Sequence, residues 1–367
     1  MRLGRWFVII LAGLAVLAGI GYGALQIPSV QDAAIARVAT SLMKTSREDL
    51  FKDDALRIAF CGTTGPMPDA RRAKICTMVI AGGKFYIVDI GPEATEVISS
   101  WRVPMTRLGG LFITHLHSDH IGELGEFNLQ SWAQGRDKPL SVYGPPGVER
   151  VVNGFAAAYE LDRDYRIAHH GAEMMSADNW VMNPVAVPLE GMITPTRERR
   201  ATMLKDGDLT VTAIEVNHSP IEPAYAYRFD YKGRSVVISG DTSKHFGLAE
   251  ASKGADVLVH EAQAKHVIEI MIGAAKEANN ERLRKIFSDI QNYHTSPVEA
   301  AEIANVAGVK LLVLHHFTPP PNNPILGWSF LRGVSAVRSR GVVMADDHML
   351  ITVPLSGDAK PKVGRMN

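Results

Sequence analysis

Thr114-His115-Leu116-His117-Ser118-Asp119-His120 puts four metal-ligating side chains within six residues, directly after the apolar run 110–114. Imidazole and carboxylate together are donor types that suit zinc. On an extended turn His115 and His117 point the same way, while Asp119 and His120 reach an adjacent point. One loop can therefore feed two ions. A lone histidine is ordinarily a core or surface residue. The order H-x-H-x-D-H at a strand's end instead predicts a metal site.

Outward from this loop, short apolar runs alternate with helical patterns. Runs 56–61, 77–81 and 84–89 read as strands, the last two joined by Gly82-Gly83. Later strands fall at 209–216, 224–231, 235–239, 256–260, 311–315, 342–345 and 349–353. Helical patterns fall near 94–101, 121–134, 147–160, 264–290, 297–306 and 329–337. Hairpins that give way to strand–helix alternation predict a mixed-sheet α/β domain. No linker or repeat divides residues 56–356, which read as one domain followed by a C-terminal tail at 357–367.

The 367 residues carry 39 Lys+Arg against 39 Asp+Glu, with 46% apolar residues, two cysteines and 13 histidines. This excludes a disordered chain and a disulfide scaffold. It also offers no overall positive field for nucleic acid. Arg2 and Arg5 precede an uncharged run at 6–25, whose twenty residues would span about 30 Å as a helix. Residues 1–27 are therefore expected to form a membrane anchor or a cleaved signal sequence, and 28–55 a helical tether. In a bacterium, the positive-inside rule makes this a single-pass inner-membrane protein with a periplasmic body, or a secreted periplasmic one after cleavage.

The loop, together with several segments downstream of it, resembles the metallo-β-lactamase superfamily, and within it the ribonuclease Z, arylsulfatase and phosphodiesterase branch. The matching positions are His218 in Glu215-Val216-Asn217-His218, Asp241 in Ser239-Gly240-Asp241-Thr242, and His316 in Leu314-His315-His316-Phe317-Thr318. Upstream, Cys61-Gly62-Thr63-Thr64-Gly65-Pro66 with Pro68-Asp69-Ala70-Arg71-Arg72 resembles the branch's opening loop, and Val88-Asp89-Ile90-Gly91 its D-x-G element. The resemblance spans roughly residues 56–354. It implies an αββα four-layer sandwich, here preceded by an N-terminal transmembrane helix, with metals at one edge between the sheets. It assigns one Zn2+ to His115, His117 and His218 and a second to Asp119, His120 and His316, with Asp241 bridging; Mn2+ or Fe2+ are possible substitutes. Of His315 and His316, only one can face the metals if the strand continues, and the family pattern selects His316.

Val259-His260-Glu261-Ala262 and His294-Thr295-Ser296 resemble two further elements of the phosphodiesterase branch. They imply His294 as general acid, oriented by Glu261, with Asp119 as the remaining catalytic carboxylate. His169-His170 either line the pocket or form an exposed loop, and Arg72 either approaches an anionic ester or forms a structural ion pair. Residues 197–200 read as a solvated charge run. Cys61 and Cys76 flank the opening loop at the ends of two strands expected to pair. They form a disulfide closing that loop, or remain two buried thiols.

The resulting expectation is a membrane-anchored di-zinc hydrolase of phosphodiester or aryl sulfate bonds, acting by metal-hydroxide attack. Its expected partners are a small anionic ester and, through the N-terminal helix, the lipid bilayer; no nucleic acid is expected, and the oligomeric state is unknown. The alternatives are a lactonase or β-lactamase-like hydrolase, a ribonuclease Z-like RNA endonuclease, and a non-catalytic membrane-tethered binding protein.

Overall fold

A computed structural model of the chain describes residues 2–188, 200–356 and 359–366. The chain divides into two units, residues 1–47 and 48–367. The first consists of helices α1 (Arg2–Ala24) and α2 (Pro28–Lys44), the latter opened by Pro28 in its first turn. Among the described residues no single helix is long and apolar enough to cross a membrane. The spanning helix expected over residues 6–25 is therefore not supported.

The second unit is built on two sheets. Strands β1 (Ala55–Gly62), β2 (Cys76–Ala81), β3 (Lys84–Val88), β4 (Leu108–Phe112), β5 (Leu140–Gly144) and β6 (Met182–Ala186) belong to the first. The second holds β7 (Arg200–Asp206), β8 (Leu209–Val216), β9 (Ala224–Tyr231), β10 (Arg234–Ile238), β11 (Val257–Gln263), β12 (Leu311–Thr318) and β13 (Val342–Met344). The chain then returns to the first sheet as β14 (Met349–Pro354) and β15 (Lys362–Arg365). Strand order is β15-β14-β1-β2-β3-β4-β5-β6 in one sheet and β13-β12-β11-β10-β9-β8-β7 in the other. Each sheet is antiparallel through its hairpins and parallel where helical crossovers begin, at β3–β4 and at β10–β11.

Side-chain alternation makes the layers. Ile58 and Phe60 of β1 join Phe112, Tyr227, Phe229 and Val236 in a core between the sheets. Their neighbours Ala59 and Cys61 turn outward onto helices α3 (Ala94–Trp101), α5 (Leu124–Ala133) and α6 (Val148–Ala158). A one-turn helix α4 (Ser118–Ile121) precedes α5, and α7 (Glu160–His170) and α8 (Ala177–Trp180) follow α6. On the far side, Val237, Leu258 and Leu312 bury against α9 (Phe246–Ala251) and α12 (Pro297–Ala307). Between those two helices lie α10 (Lys265–Glu277) and α11 (Glu281–Asp289), and α13 (Pro324–Phe330) and α14 (Val334–Val337) follow β12. Three cores, helix on sheet, sheet on sheet and sheet on helix, make the αββα arrangement.

Three boundaries depart from the sequence reading. The helix expected over 264–290 is two, because Asn279 adopts φ 53° and the Asn280 side chain caps α11 by accepting from Leu283 N. The 329–337 pattern is broken at Gly333, φ 84°. The expected tail at 357–367 contains β15, which pairs with β14 from Met349↔Arg365 to Thr352↔Lys362. Of the charge run at 197–200, residues 197–199 lie outside the described residues.

Candidate metal centre and its cavity

Strand ends supply the site. β4 leaves the sheet at Phe112, and Thr114 is fixed by Asp89 at the end of β3. Its N–H and Oγ1 donate to the two Asp89 oxygens, both at 2.8 Å. Asp89 sits at φ 58°, a conformation costly for a residue other than glycine and tolerated where the surroundings over-determine it. The same carboxylate lies 2.8 Å from His120 Nδ1. With Nδ1 donating there, His120 presents Nε2 inward. His115 Nε2 stands 2.9 Å from His117 Nδ1, and the neighbouring His218 is oriented by Nδ1 donating to the Tyr293 carbonyl at 3.0 Å.

Asp241 occupies the centre. It follows Gly240, whose φ of 58° and close approach to the Tyr225 carbonyl leave no room for a Cβ. One Asp241 oxygen is 3.9 Å from both His115 Nε2 and His218 Nε2. The other is 3.4 Å from His120 Nε2 and 3.2 Å from His316 Nε2. His316 also approaches Asp119 Oδ2 at 3.3 Å. Its placement rests on a break in register: Glu261 pairs with His315 but Ala262 with Phe317, so His316 is the extra residue of a bulge, at φ 49°. His315, fully buried, packs edge-on against Phe60 instead. All seven expected ligands thus converge, and within each of the sets His115/His117/His218/Asp241 and Asp119/His120/His316 the donor atoms lie within 4.8 Å of one another.

The donors fit metal ions. His218 Nε2 and Asp241 Oδ1 are buried without a hydrogen-bond partner, an arrangement costly unless a cation satisfies them. Burial, reinforced by neighbouring imidazoles, pushes His115 well below the usual histidine range; burial also lowers His117 and His218. These rings are neutral and keep lone pairs to give. Burial would raise Asp119, but the His120 and His316 imidazoles outweigh it and hold its carboxyl at about 2.

Beside the cluster, Glu261 Oε1 accepts from His294 Nδ1 at 3.0 Å and from the N–H groups of Thr242 and Thr295, both at 3.1 Å. His294 Nδ1 is 3.9 Å from Asp241 Oδ2. The next helix, α12, starts with a complete capping box between Ser296 and Glu299, which fixes the loop carrying His294. Other histidines lie elsewhere: His169 and His170 end the exposed helix α7, His266 bonds Ser329, and His348 accepts from Trp101 Nε1. Arg72 forms a structural pair with Asp346 at 3.1 Å and donates to Thr63 Oγ1. Cys61 and Cys76 are joined as a disulfide.

Two features escaped the sequence reading. One is the orienting role of Asp89 and of the Tyr293 carbonyl; the D-x-G element was the available signal for the first. The other is a cavity of about 720 Å³ with the metal-ligand cluster as one wall and side chains of α10 and α11 as the opposite one.

Residues 86–317 match the family model described as the beta-lactamase superfamily domain. The chain belongs to the metallo-β-lactamase superfamily. It is 34% identical over 269 residues to a ribonuclease Z of Mycolicibacterium gilvum, covering 72% of this chain and 85% of that one. A ribonuclease Z of Mycobacterium bovis is 35% identical over 267 residues, covering 72% and 86%. Among solved structures, the fold is shared with the short form of human tRNase Z (TM-score 0.55, 22% identity, 81% of this chain and 99% of that one). It is shared equally with the metallo-beta-lactamase fold protein YhfI of Bacillus subtilis (TM-score 0.55, 20% identity, 82% and 100%). The sequence relatives group the chain with ribonuclease Z proteins among the hydrolases of this superfamily. They also overturn the expectation that no nucleic acid is a partner, since the curated relatives are ribonucleases by name. Zero net charge over a whole chain does not describe the field at one face.

Proposed function

We propose that this protein is a metal-dependent phosphodiesterase acting on RNA, in the manner of ribonuclease Z. The observation that carries the reaction class is the Glu261–His294 pair, 3.0 Å apart and set against Asp241 at the edge of the ligand cluster. RNA as the diester is supported by the 34–35% identity to ribonuclease Z.

In this reading His115, His117 and His218 would hold one Zn2+ and Asp119, His120 and His316 another, with Asp241 available to both donor sets. Ions bound there would supply Lewis-acid stabilisation of charge on the phosphoryl oxygens and a nucleophile available at neutral pH. The chain's own residues do the rest. Glu261 accepts from His294 Nδ1 and fixes the ring plane, so that Nε2 faces the substrate side and can deliver a proton to the departing alkoxide. Three donors to one Glu261 oxygen hold that carboxylate still. Asp119 would serve as a carboxylate ligand.

The test is cleavage of structured RNAs, transfer RNA precursors among them, by the full chain supplied with Zn2+ or Mn2+. Endonucleolytic products are expected, and His294→Ala should lower the rate by about 10²–10⁴-fold, the usual worth of a general acid. Absence of cleavage with either metal would overturn the RNA assignment. An unchanged rate in His294→Ala would remove the acid role.

A further inference from the structure

The cavity facing the cluster differs sharply from the cluster itself. Opposite His117, Asp119, Asp241 and His294 it presents Val267, Met271, Leu283, Ile286, Phe287 and Ile290. Among the described residues that line it there is no lysine or arginine. A run of phosphates threaded through it would find no counter-charge, whereas polyanion binding ordinarily depends on such contacts. What this space suits is an uncharged, largely apolar group attached to one phosphate at the metal cluster. Its volume lies within the range of about 300–1,000 Å³ common for small-ligand sites.

Two details narrow the occupant. Phe287 and Tyr293 both line the cavity and offer aromatic surface, while Thr318 and Asn322 offer hydroxyl and amide groups able to read the edge of a planar heterocycle. Leu283 and Ile286 remain 41% and 43% exposed on α11, apolar surface that a bound group would cover. We propose that the cavity takes the nucleobase of a single unstacked nucleotide flanking the scissile phosphate. This rests on the phosphodiesterase reading above, and it adds that cleavage requires one splayed-out base beside the bond.

The test uses the full chain and two measurements. In the first, matched RNA substrates carry an abasic ribose on one or the other side of the scissile bond. One of the two replacements should lower kcat/KM by at least about tenfold, the scale expected for losing one base–aromatic contact. Ile286→Asp, and the gentler Phe287→Leu should the first not fold, should remove the difference between intact and abasic RNA while metal content stays unchanged. Equal kcat/KM for intact and abasic substrates at both positions, or discrimination that survives both variants, overturns the proposal.

In the second measurement, equilibrium binding compares a nucleoside monophosphate, ribose 5-phosphate and hexyl phosphate. The nucleotide should bind at least about tenfold more tightly than the sugar phosphate. Equal affinity overturns the proposal, and tighter hexyl phosphate binding assigns the cavity to an alkyl group instead. Base-dependent binding without RNA cleavage would leave this inference standing and remove the RNA reading; cleavage indifferent to the base would do the reverse.

Discussion

The two walls of the cavity are made by opposite means. The polar wall comes from strand ends and the tight loops beyond them; the candidate ligands His115, His120, His218, Asp241 and His316 are buried, with His120 oriented by the buried Asp89 and His218 by the Tyr293 carbonyl. The apolar wall comes from a pair of short helices, α10 and α11, and α11 buries none of its residues. Chemistry on a phosphate tolerates little displacement of its donors, so these sit where the backbone is over-determined, at positive φ for Asp89, Gly240 and His316. Holding a nucleobase asks only for apolar surface of about the right shape. A change on the first wall should therefore remove function, and a change on the second should redirect it.

The largest effect that would break this contrast is expected at Asp241. Asp241→Asn keeps the shape but removes the charge shared between the two donor sets. It should lower metal content, measured by elemental analysis, and reduce phosphodiester hydrolysis by about a thousandfold, the factor equivalent to several kcal/mol of lost stabilisation. Full metal content with near-normal activity would show that the polar wall does not depend on its central carboxylate.

The convergence of the candidate ligands on the polar wall was legible because chemistry demands particular residue types at fixed intervals. His115 to His120 announce themselves within one loop, and Glu261 and His294 through the short motifs around them. The choice of His316 over His315 came from family resemblance alone; the bulge that makes it physically possible is a register shift, invisible in a string of alternating residues. The apolar wall was not legible for a different reason. Val267, Met271, Leu283 and Ile286 recur at helical spacing, the pattern of any helix covering a core, and only the tertiary structure shows that a cavity lies beneath them. Helical spacing also runs on through 264–290, and the break lies in Asn279 and Asn280, a stop and a cap that spacing alone does not mark. Net charge misled as well, because 39 against 39 says nothing about which face holds which sign.

An intermediate effect is expected where the chain crosses between the walls. The loop between Cys61 and Cys76 contributes Pro66, Met67 and Pro68 to the cavity, and it is anchored by Asp347, which accepts from Thr63 Oγ1 at 2.6 Å and from Ala73 N at 2.7 Å. The disulfide closes this loop at a separation of 15 residues. Cys61→Ala with Cys76→Ala should cost about 3 kcal/mol in urea unfolding, the chain-entropy value for such a loop. Metal content should stay normal, since no ligand lies within the loop. Loss of metal in that variant would mean that the two walls are one cooperative structure.

The smallest effect concerns the tie between the walls. Lys265, at the start of α10, donates to Glu299 Oε2 at 3.0 Å, and Glu299 caps α12 just beyond His294. Burial raises the Glu299 carboxyl, but the Ser296 N–H and the Lys265 ammonium outweigh it and hold it below the usual glutamate range. A carboxyl with a lowered folded-state pKa stabilises the fold above its unfolded value of about 4.3, and that contribution disappears as pH falls through the lowered folded value. Glu299→Gln can retain the cap but not the charge. Its stability in urea unfolding should sit at most about 1 kcal/mol below the parent's at pH 7, given a partly exposed pair, and the two should converge as the pH falls through the lowered folded value. A difference that persists unchanged at pH 3 would place the stabilisation in packing or capping rather than in the ion pair. The apolar wall would then be joined to the His294 loop without help from charge.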